Sequence, residues 1–535
     1  MIDKGKEPVV TTKAGKLRGT YIDGVYRFLG VHYAQDTSGE NRFLPPRPVE
    51  PWEGEKLAQK YEDKCWQHDH PSAESPLLHR VETDRSRHMQ KLMERSSEMG
   101  TGRQTEDCLA LNIWTQGVED GKMRPVMVWF HGGGDFAGAA EADWHDGYNL
   151  AKKQDVVIVT VGHRLAIFGY IDLRGYGEKY KNSVNLGHQD MAMAMHWIHD
   201  NIEAFGGDPE NVTIFGQSGG GGKVCALMGM PSAKGTFQRA IVQSGGFLTV
   251  SNERSAAVTK EFLDYIGIDK EHIDDLQHYP PDELINKMRE LNAPRDPSNM
   301  YNFCVFLAVW DGEIVKYNPF DGAEGSEYSK DICMINGGPK DDSLLNALMN
   351  PKVFSYSFED VANAITEFGY TPDQAEKIID IYKDMLKDEV KGEIQPMDIY
   401  GAFTNDQAGL KDNILRYRAR AKVGAAPFYN YVFAFEGPFS DTKAIHGVDV
   451  PFFFDNGKYA TGIWTADTYV DAMKCSDACG AAWAAFARTG DPSCPQIGVW
   501  KPFDEEHYYT MVFNTDSKLV SDYRSSGRKI AFGEI

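Results

Sequence analysis

Residues 211–226 read N-V-T-I-F-G-Q-S-G-G-G-G-K-V-C-A, and they leave the chain little choice of local shape. The run V212-T-I-F is apolar and β-prone, so it reads as a strand, whereas the residues after the glycines suit a helix. Between the two, Ser218 sits among five glycines. A strand that turns directly into a helix around Ser218 strains that residue's backbone and brings its neighbours together, and Gly216 and Gly220 supply the missing bulk. The helix would aim its first N–H groups and the positive end of its dipole at the serine hydroxyl. A phosphate cradle of the G-x-x-x-x-G-K-[ST] kind is excluded, because Val224 follows Lys223. Ser218 is therefore a candidate nucleophile placed where developing negative charge can be stabilised.

The flanking segments say what such a turn is built into. R124-P-V-M-V-W-F, V156-V-I-V-T-V and I241-V-Q-S are short, β-branched or aromatic, and apolar on both faces. Strands of that kind belong to a sheet covered on both sides. M191-A-M-A-M-H-W-I-H-D-N-I-E-A-F, ending near Gly206-Gly207, predicts a crossover helix between the second of these strands and V212-T-I-F. Strand, helix, strand makes the class α/β, with a mostly parallel central sheet flanked by helices. Farther on, Thr371, Pro372 and Gln374 form a capping box. Behind it Ala375, Ile378, Ile379, Tyr382, Met385 and Leu386 make one apolar stripe. Residues from about 345 to 425 therefore read as a largely helical insertion among the later strands. No repeat, low-complexity tract or linker marks a border, so the expectation is one domain over 1–535.

Composition narrows the partners. Of the 535 residues 42% are hydrophobic and 25% charged, enough for a large core, and the net charge is −22. With no cluster of Lys and Arg, nucleic acid is not an expected partner. No apolar run approaches the roughly 18–20 residues of a membrane span. The amino terminus MIDKGKEPVV has no apolar stretch before a cleavage site, which predicts a cytoplasmic protein, or a secreted one from which a signal has been removed. Eight cysteines show no paired C-x-x-C spacing, and neither they nor His68 and His70 in W66-Q-H-D-H are expected to hold a metal. The charged stretch from His79 to Ser97 reads as a solvated surface segment, with a pocket rim as the alternative.

A second glycine cluster, H131-G-G-G, follows directly on V126-M-V-W-F and offers unhindered backbone N–H donors to an oxyanion. Around it stand G24-V-Y-R-F-L-G-V-H-Y-A, E106-D-C-L-A-L-N-I-W, H163-R-L-A-I-F-G-Y, N185-L-G-H-Q-D and F205-G-G-D-P-E-N-V-T-I-F-G. In that order these motifs resemble the type-B carboxylesterases, the esterase and lipase family that includes cholinesterases and bacterial p-nitrobenzyl esterases. The resemblance spans nearly the whole chain and implies the α/β-hydrolase fold, with catalytic groups in the order serine, acid, histidine. I332-C-M-I-N-G-G-P-K-D-D-S is similar to the family's acid motif and places Asp342 as the acid, with Asp341 the alternative. A444-I-H-G-V-D-V-P-F-F-F is similar to its histidine motif and places His446 as the general base. Gly133, Gly134 and Gly219 would form the oxyanion hole. The implied function is a serine carboxylesterase acting on small to medium esters through an acyl-enzyme, with no metal or organic cofactor. The same triad would serve a lipase or an amidase, and non-catalytic relatives lose the serine or the histidine, both present here.

Several residues depart from the family's pattern. Gln217 replaces a common Glu. Gly219 replaces a common Ala, which predicts an oxyanion hole intact but looser. Asp135 stands where an aromatic is usual and Lys223 where a small residue is usual, so the two are expected either to interact and alter the pocket's polarity or to point away. Cys65 and Cys108 occupy positions that resemble the family's amino-terminal disulfide. Phe452, Phe453 and Phe454 are expected to divide between core and acyl pocket.

Overall fold

Runs with no polar face do become strands covered on both sides. The computed structural model describes residues 7–67, 103–294, 306–345, 351–390, 392–436, 443–460 and 462–534. Its centre is an eleven-stranded sheet. In chain order the strands are β1 (Thr20–Ile22), β2 (Val25–His32), β3 (Ala110–Thr115), β4 (Arg124–Phe130), β5 (Val157–Val161), β6 (Gly207–Gln217), β7 (Arg239–Gln243), β8 (Cys333–Pro339), β9 (Phe428–Phe433), β10 (Thr510–Phe513) and β11 (Lys518–Val520). Across the sheet they run β11-β10-β9-β8-β7-β6-β4-β5-β3-β2-β1. The seven from β10 to β5 are mutually parallel, and the strands at both edges are antiparallel. This is the α/β-hydrolase arrangement that the family resemblance implies.

Alternation along β4 shows how the sheet is clad. Val126, Val128 and Phe130 enter the apolar cluster on one face, Met127 and Trp129 that on the other, and all five are buried. Helix α1 (Leu186–Asn201) is the crossover between β5 and β6, and α2 (Gly219–Met228) follows β6 without a loop. The crossover helix starts before residue 191 because Asn185 anchors its entry. That residue adopts φ 52°, accepts from the Val309 N–H at 2.7 Å and donates Nδ2 to the Val309 carbonyl at 2.8 Å.

The helical insertion comprises α3 (Phe358–Glu367), α4 (Pro372–Leu386), α5 (Pro396–Asn405) and α6 (Lys411–Ala421), between β8 and β9. The capping box at Thr371 is formed in both directions. The stripe is buried at Ala375, Ile378, Ile379, Tyr382 and Leu386 in a cluster shared with Val361, Ile365 and Phe403, while Met385 is half-buried against it. Among the described residues no helix is long and apolar enough to cross a membrane. His68, His70 and the charged stretch after His79 lie outside the described residues.

The three phenylalanines depart from expectation, because all of them enter the core. Short α7 (Val450–Phe453) lies between the sheet and the long α8 (Tyr469–Thr489), so core surrounds it on more than one side. Phe452 meets Phe433 at 4.9 Å between ring centroids, Phe453 stacks on Trp483 at 3.7 Å, and Phe454 meets Trp129 at 5.0 Å. Phe453→Ala is expected to cost about 3–5 kcal/mol. The change should appear as a lowered denaturation midpoint, whereas Val470→Ala, at a position 75% exposed, should change stability by no more than about 0.5 kcal/mol and leave the midpoint nearly in place.

Candidate active site

Five adjacent parallel strands deliver the candidate residues at their carboxyl ends. β4 leads into His131–Gly134, β6 into Ser218, β7 into Ser244, β8 into Asp342 and β9 toward His446. The chain steps from β4 to β5 on one side and then crosses to β6 on the other, and loops diverge at such a reversal to leave a crevice.

Ser218 makes the turn alone, with φ 59° and ψ −124°. A non-glycine backbone there costs about 1–3 kcal/mol and persists only when its surroundings hold it. Two hydrogen bonds do so, from the Ser218 N–H to the Gln243 carbonyl at 2.8 Å and from the Gly222 N–H to the Ser218 carbonyl at 3.0 Å. The glycines are there for close approach of backbones. A Cβ on Gly220 would lie 2.0 Å from the Phe130 carbonyl oxygen, and one on Gly216 would lie 2.5 Å from the Gly220 carbonyl. At Gly219 the expectation of a looser hole fails. A Cβ there would stand 2.4 Å from Gly134 Cα and 2.5 Å from its nitrogen, so glycine makes the contact tight. The first residue of α2 thus packs directly on the H131-G-G-G loop, where Gly133 and Gly134 take φ 86° and 62°. Gly134 and Gly219 therefore lie against each other next to Ser218, with Gly133 preceding Gly134 in the loop.

His446 and Asp342 meet across 104 residues. His446 Nδ1 donates to Asp342 Oδ1 at 2.7 Å, and the same oxygen accepts from Ser244 Oγ at 3.0 Å. The other ring nitrogen, Nε2, accepts from the Gln217 amide nitrogen at 3.1 Å. An amide nitrogen can only donate, so Nε2 carries a lone pair and the proton sits on Nδ1. Burial opposes a charged ring at His446, but the Asp342 carboxylate, by charge and hydrogen bond, outweighs it with help from Asp449 and lifts the pKa above 6.5.

Asp341 has different work. Its N–H donates to the Ala444 carbonyl at 3.0 Å and its carboxylate accepts from the Ala444 N–H at 3.2 Å, tying the acid loop to the histidine loop. Three other participants carry no local signal in the chain. Ser244 braces Asp342. Gln217, noted only as a lost charge, touches the histidine. Asp449 lies fully buried, accepting from Tyr431 Oη at 2.9 Å, and burial pushes its pKa up to about 6 against that hydrogen bond.

Asp135 and Lys223 are both buried, and neither forms part of an exposed pocket wall. Asp135 accepts from the Ala308 N–H at 2.9 Å, and Lys223 donates to the His131 carbonyl at 3.0 Å. Cys65 and Cys108 are buried free thiols, and their side chains are within hydrogen-bonding reach of each other. The hydrogen bond from Cys65 and burial push the Cys108 thiol up. Among the described residues no group of three or more His, Cys, Asp or Glu is placed to hold a metal ion.

A profile of the carboxylesterase family matches residues 6–530. The para-nitrobenzyl esterase of Bacillus subtilis (strain 168) is 30% identical over 533 residues, covering 98% of each chain. The crystal structure of a Geobacillus stearothermophilus carboxylesterase at pH 6.2 superposes with a TM-score of 0.79 at 29% identity, over 98% of this chain and 99% of that one. An esterase of Clostridium hathewayi, described as able to hydrolyse aliphatic aromatic polyesters, gives 0.79 at 31% identity over 100% of this chain and 99% of its own.

The packing at Gly219 can be tested directly. Gly219→Ala, although it installs the residue common in relatives, is expected to cost about 1–3 kcal/mol by overpacking against Gly134. Equilibrium denaturation measures this, and an unchanged midpoint would show that the loop yields freely.

Proposed function

The chain belongs to the carboxylesterase family and is a carboxylic ester hydrolase, and from that premise we propose that it cleaves small to medium uncharged esters through an acyl-enzyme on Ser218. One observation carries the reading. His446 is held by Asp342 in the tautomer with a bare Nε2, and that nitrogen is engaged by the residue next to Ser218.

In this reading the ring exchanges the Gln217 amide for Ser218 Oγ as substrate enters. His446 takes the hydroxyl proton while the oxygen attacks the ester carbonyl carbon. Charge that develops on the carbonyl oxygen is met by the N–H groups of Gly133, Gly134 and Gly219, each worth about 3 kcal/mol to the transition state. His446 then gives its Nε2 proton to the alcohol oxygen, the C–O bond breaks and the acyl group stays on Ser218. Water, deprotonated by the same nitrogen, releases the acid and restores the serine. Asp342 keeps the tautomer and stabilises the imidazolium, and a shorter Asp suffices because the need is a carboxylate oxygen at the ring N–H.

Rates with p-nitrophenyl esters test these roles. Ser218→Ala should lose about 10⁵-fold or more in kcat. Asp342→Asn should lose about 10⁴-fold, because it spoils the tautomer. Asp341→Ala should keep kcat within about tenfold while lowering the denaturation midpoint, since it removes the acceptor of one of two tethers to Ala444. The reverse ranking of the two aspartates would reassign the acid.

The pH dependence has a defined sign. The base works as neutral imidazole, and its pKa is raised, so kcat/KM should fall with decreasing pH through a midpoint above 6.5. Asp342→Asn should move that midpoint downward.

A further inference from the structure

The mechanism makes no use of the one ammonium group buried beside the oxyanion loop. Lys223 lies one helical turn beyond Gly219 on α2, so its side chain leans back toward the start of that helix. It is 1% exposed. Its Nζ donates to the carbonyl of His131, the residue that opens the H131-G-G-G loop. Among the described residues no carboxylate lies within ion-pair distance of it. A buried cation bonded only to a carbonyl is expensive for a protein to keep. A neutral donor would fasten the loop as well, so the charge itself needs a reason.

We infer that Lys223 is a positioning residue, whose buried positive charge fastens the oxyanion loop to α2 and holds a favourable potential over the oxygen that becomes negative during ester cleavage. The inference rests on the proposed reading of Ser218 and the glycine loop, and it concerns a group that never touches substrate. The field of a fixed cation in a dry site reaches farther than its hydrogen bond and needs no reorganisation when the oxyanion forms.

The surroundings favour a single charge on the lysine. From the loop after β4 it faces His131 and Asp135, from the loop after β5 His163, and from α1 His188. His131 and His163 stack at 4.7 Å between centroids, and each commits its Nδ1 proton to a backbone carbonyl, at 2.9 and 3.0 Å. Tyr170 packs edge-on against His188 at 5.5 Å. Burial, and then the charge of Lys223, holds His131 and His163 well below 6.5, and burial holds His188 at about 4. These rings stay neutral at working pH. Burial pulls Lys223 down to about 8, with Asp135 restoring part of the loss.

The consequence is an alkaline limb. As pH rises through about 8 the lysine gives up its charge, and kcat should fall. The same ionisation affects stability in the opposite sense. The unfolded chain keeps the proton up to an ordinary lysine value of 10.5, so between the two values the unfolded state binds more protons and the lysine's contribution to stability rises with pH. Loss of rate without loss of the denaturation midpoint therefore separates charge from structural damage.

The test is a kcat profile from pH 6 to 10 on a neutral p-nitrophenyl ester, for the full chain and for Lys223→Met and Lys223→Arg, with denaturation midpoints alongside. Lys223→Met should lower kcat about tenfold at pH 7, leave KM within about twofold and have no limb near 8. Lys223→Arg, which keeps its charge, should hold its plateau past pH 9. A native chain with a flat profile from pH 7 to 9.5 overturns the inference even if neither variant folds. So does a folded Lys223→Met with native kcat. If Ser218→Ala also retains activity, the reading of the nucleophile fails instead.

Discussion

Everything at this site depends on three stretches of backbone lying closer together than side chains allow. The end of β4, the start of α2 and the loop after β7 meet at Gly216, Gly219, Gly220, Gly221 and Gly245, where an added Cβ would fall 2.0–2.9 Å from a neighbouring main chain. Closeness of that order lets peptide N–H groups from two different elements border one point in space. It also holds Ser218 in a conformation that its own chemistry disfavours. The surrounding sheet, apolar on both faces, supplies the rigidity that keeps the arrangement from relaxing.

Polar groups near such a site need partners, and the protein provides them with care. Arg164, on the loop after β5, grips Asp190 of α1 through two of its nitrogens at 2.6 and 2.9 Å, and both residues are buried. Arg42 holds Glu106 bidentately at 2.6 Å and reaches the carbonyls of Leu276 and Tyr279. Paired forks of this kind fix loop positions through geometry as much as through charge. Lys223 stands apart from them, since among the described residues no carboxylate lies within ion-pair distance of it, and the contrast is what makes its ammonium informative.

Much of this was legible in the chain before any coordinates. The strand, bend and helix around Ser218 are written in consecutive residues, and the inner strands declare themselves by lacking a polar face. Resemblance to relatives pointed to His446 and Asp342, which the fold brings within hydrogen-bond distance. What stayed hidden involves partners distant in sequence or adjacent residues of one type. Asp341 and Asp342 are chemically alike as neighbours, and only the fold turns one to the imidazole and the other to Ala444. Gln217 meets His446 across 229 positions, and no local pattern could foretell it. Gly219 reads as permissive when taken alone, yet Gly134 on another element makes it restrictive. The antiparallel edge strands β1 and β11 are three residues each, too short to show a period. The phenylalanines after His446 all turn into the core because α8 packs over them from beyond residue 468, a partner that their own segment does not reveal.

The most direct measurement is to stop the reaction before it finishes. Mixing the protein with a slowly deacylating p-nitrophenyl ester, quenching in acid within the first turnover and mapping the peptides by mass should find the acyl group on the peptide that carries Ser218, at one equivalent per chain. An acyl group on another residue, or steady turnover with no covalent species formed, would contradict the account.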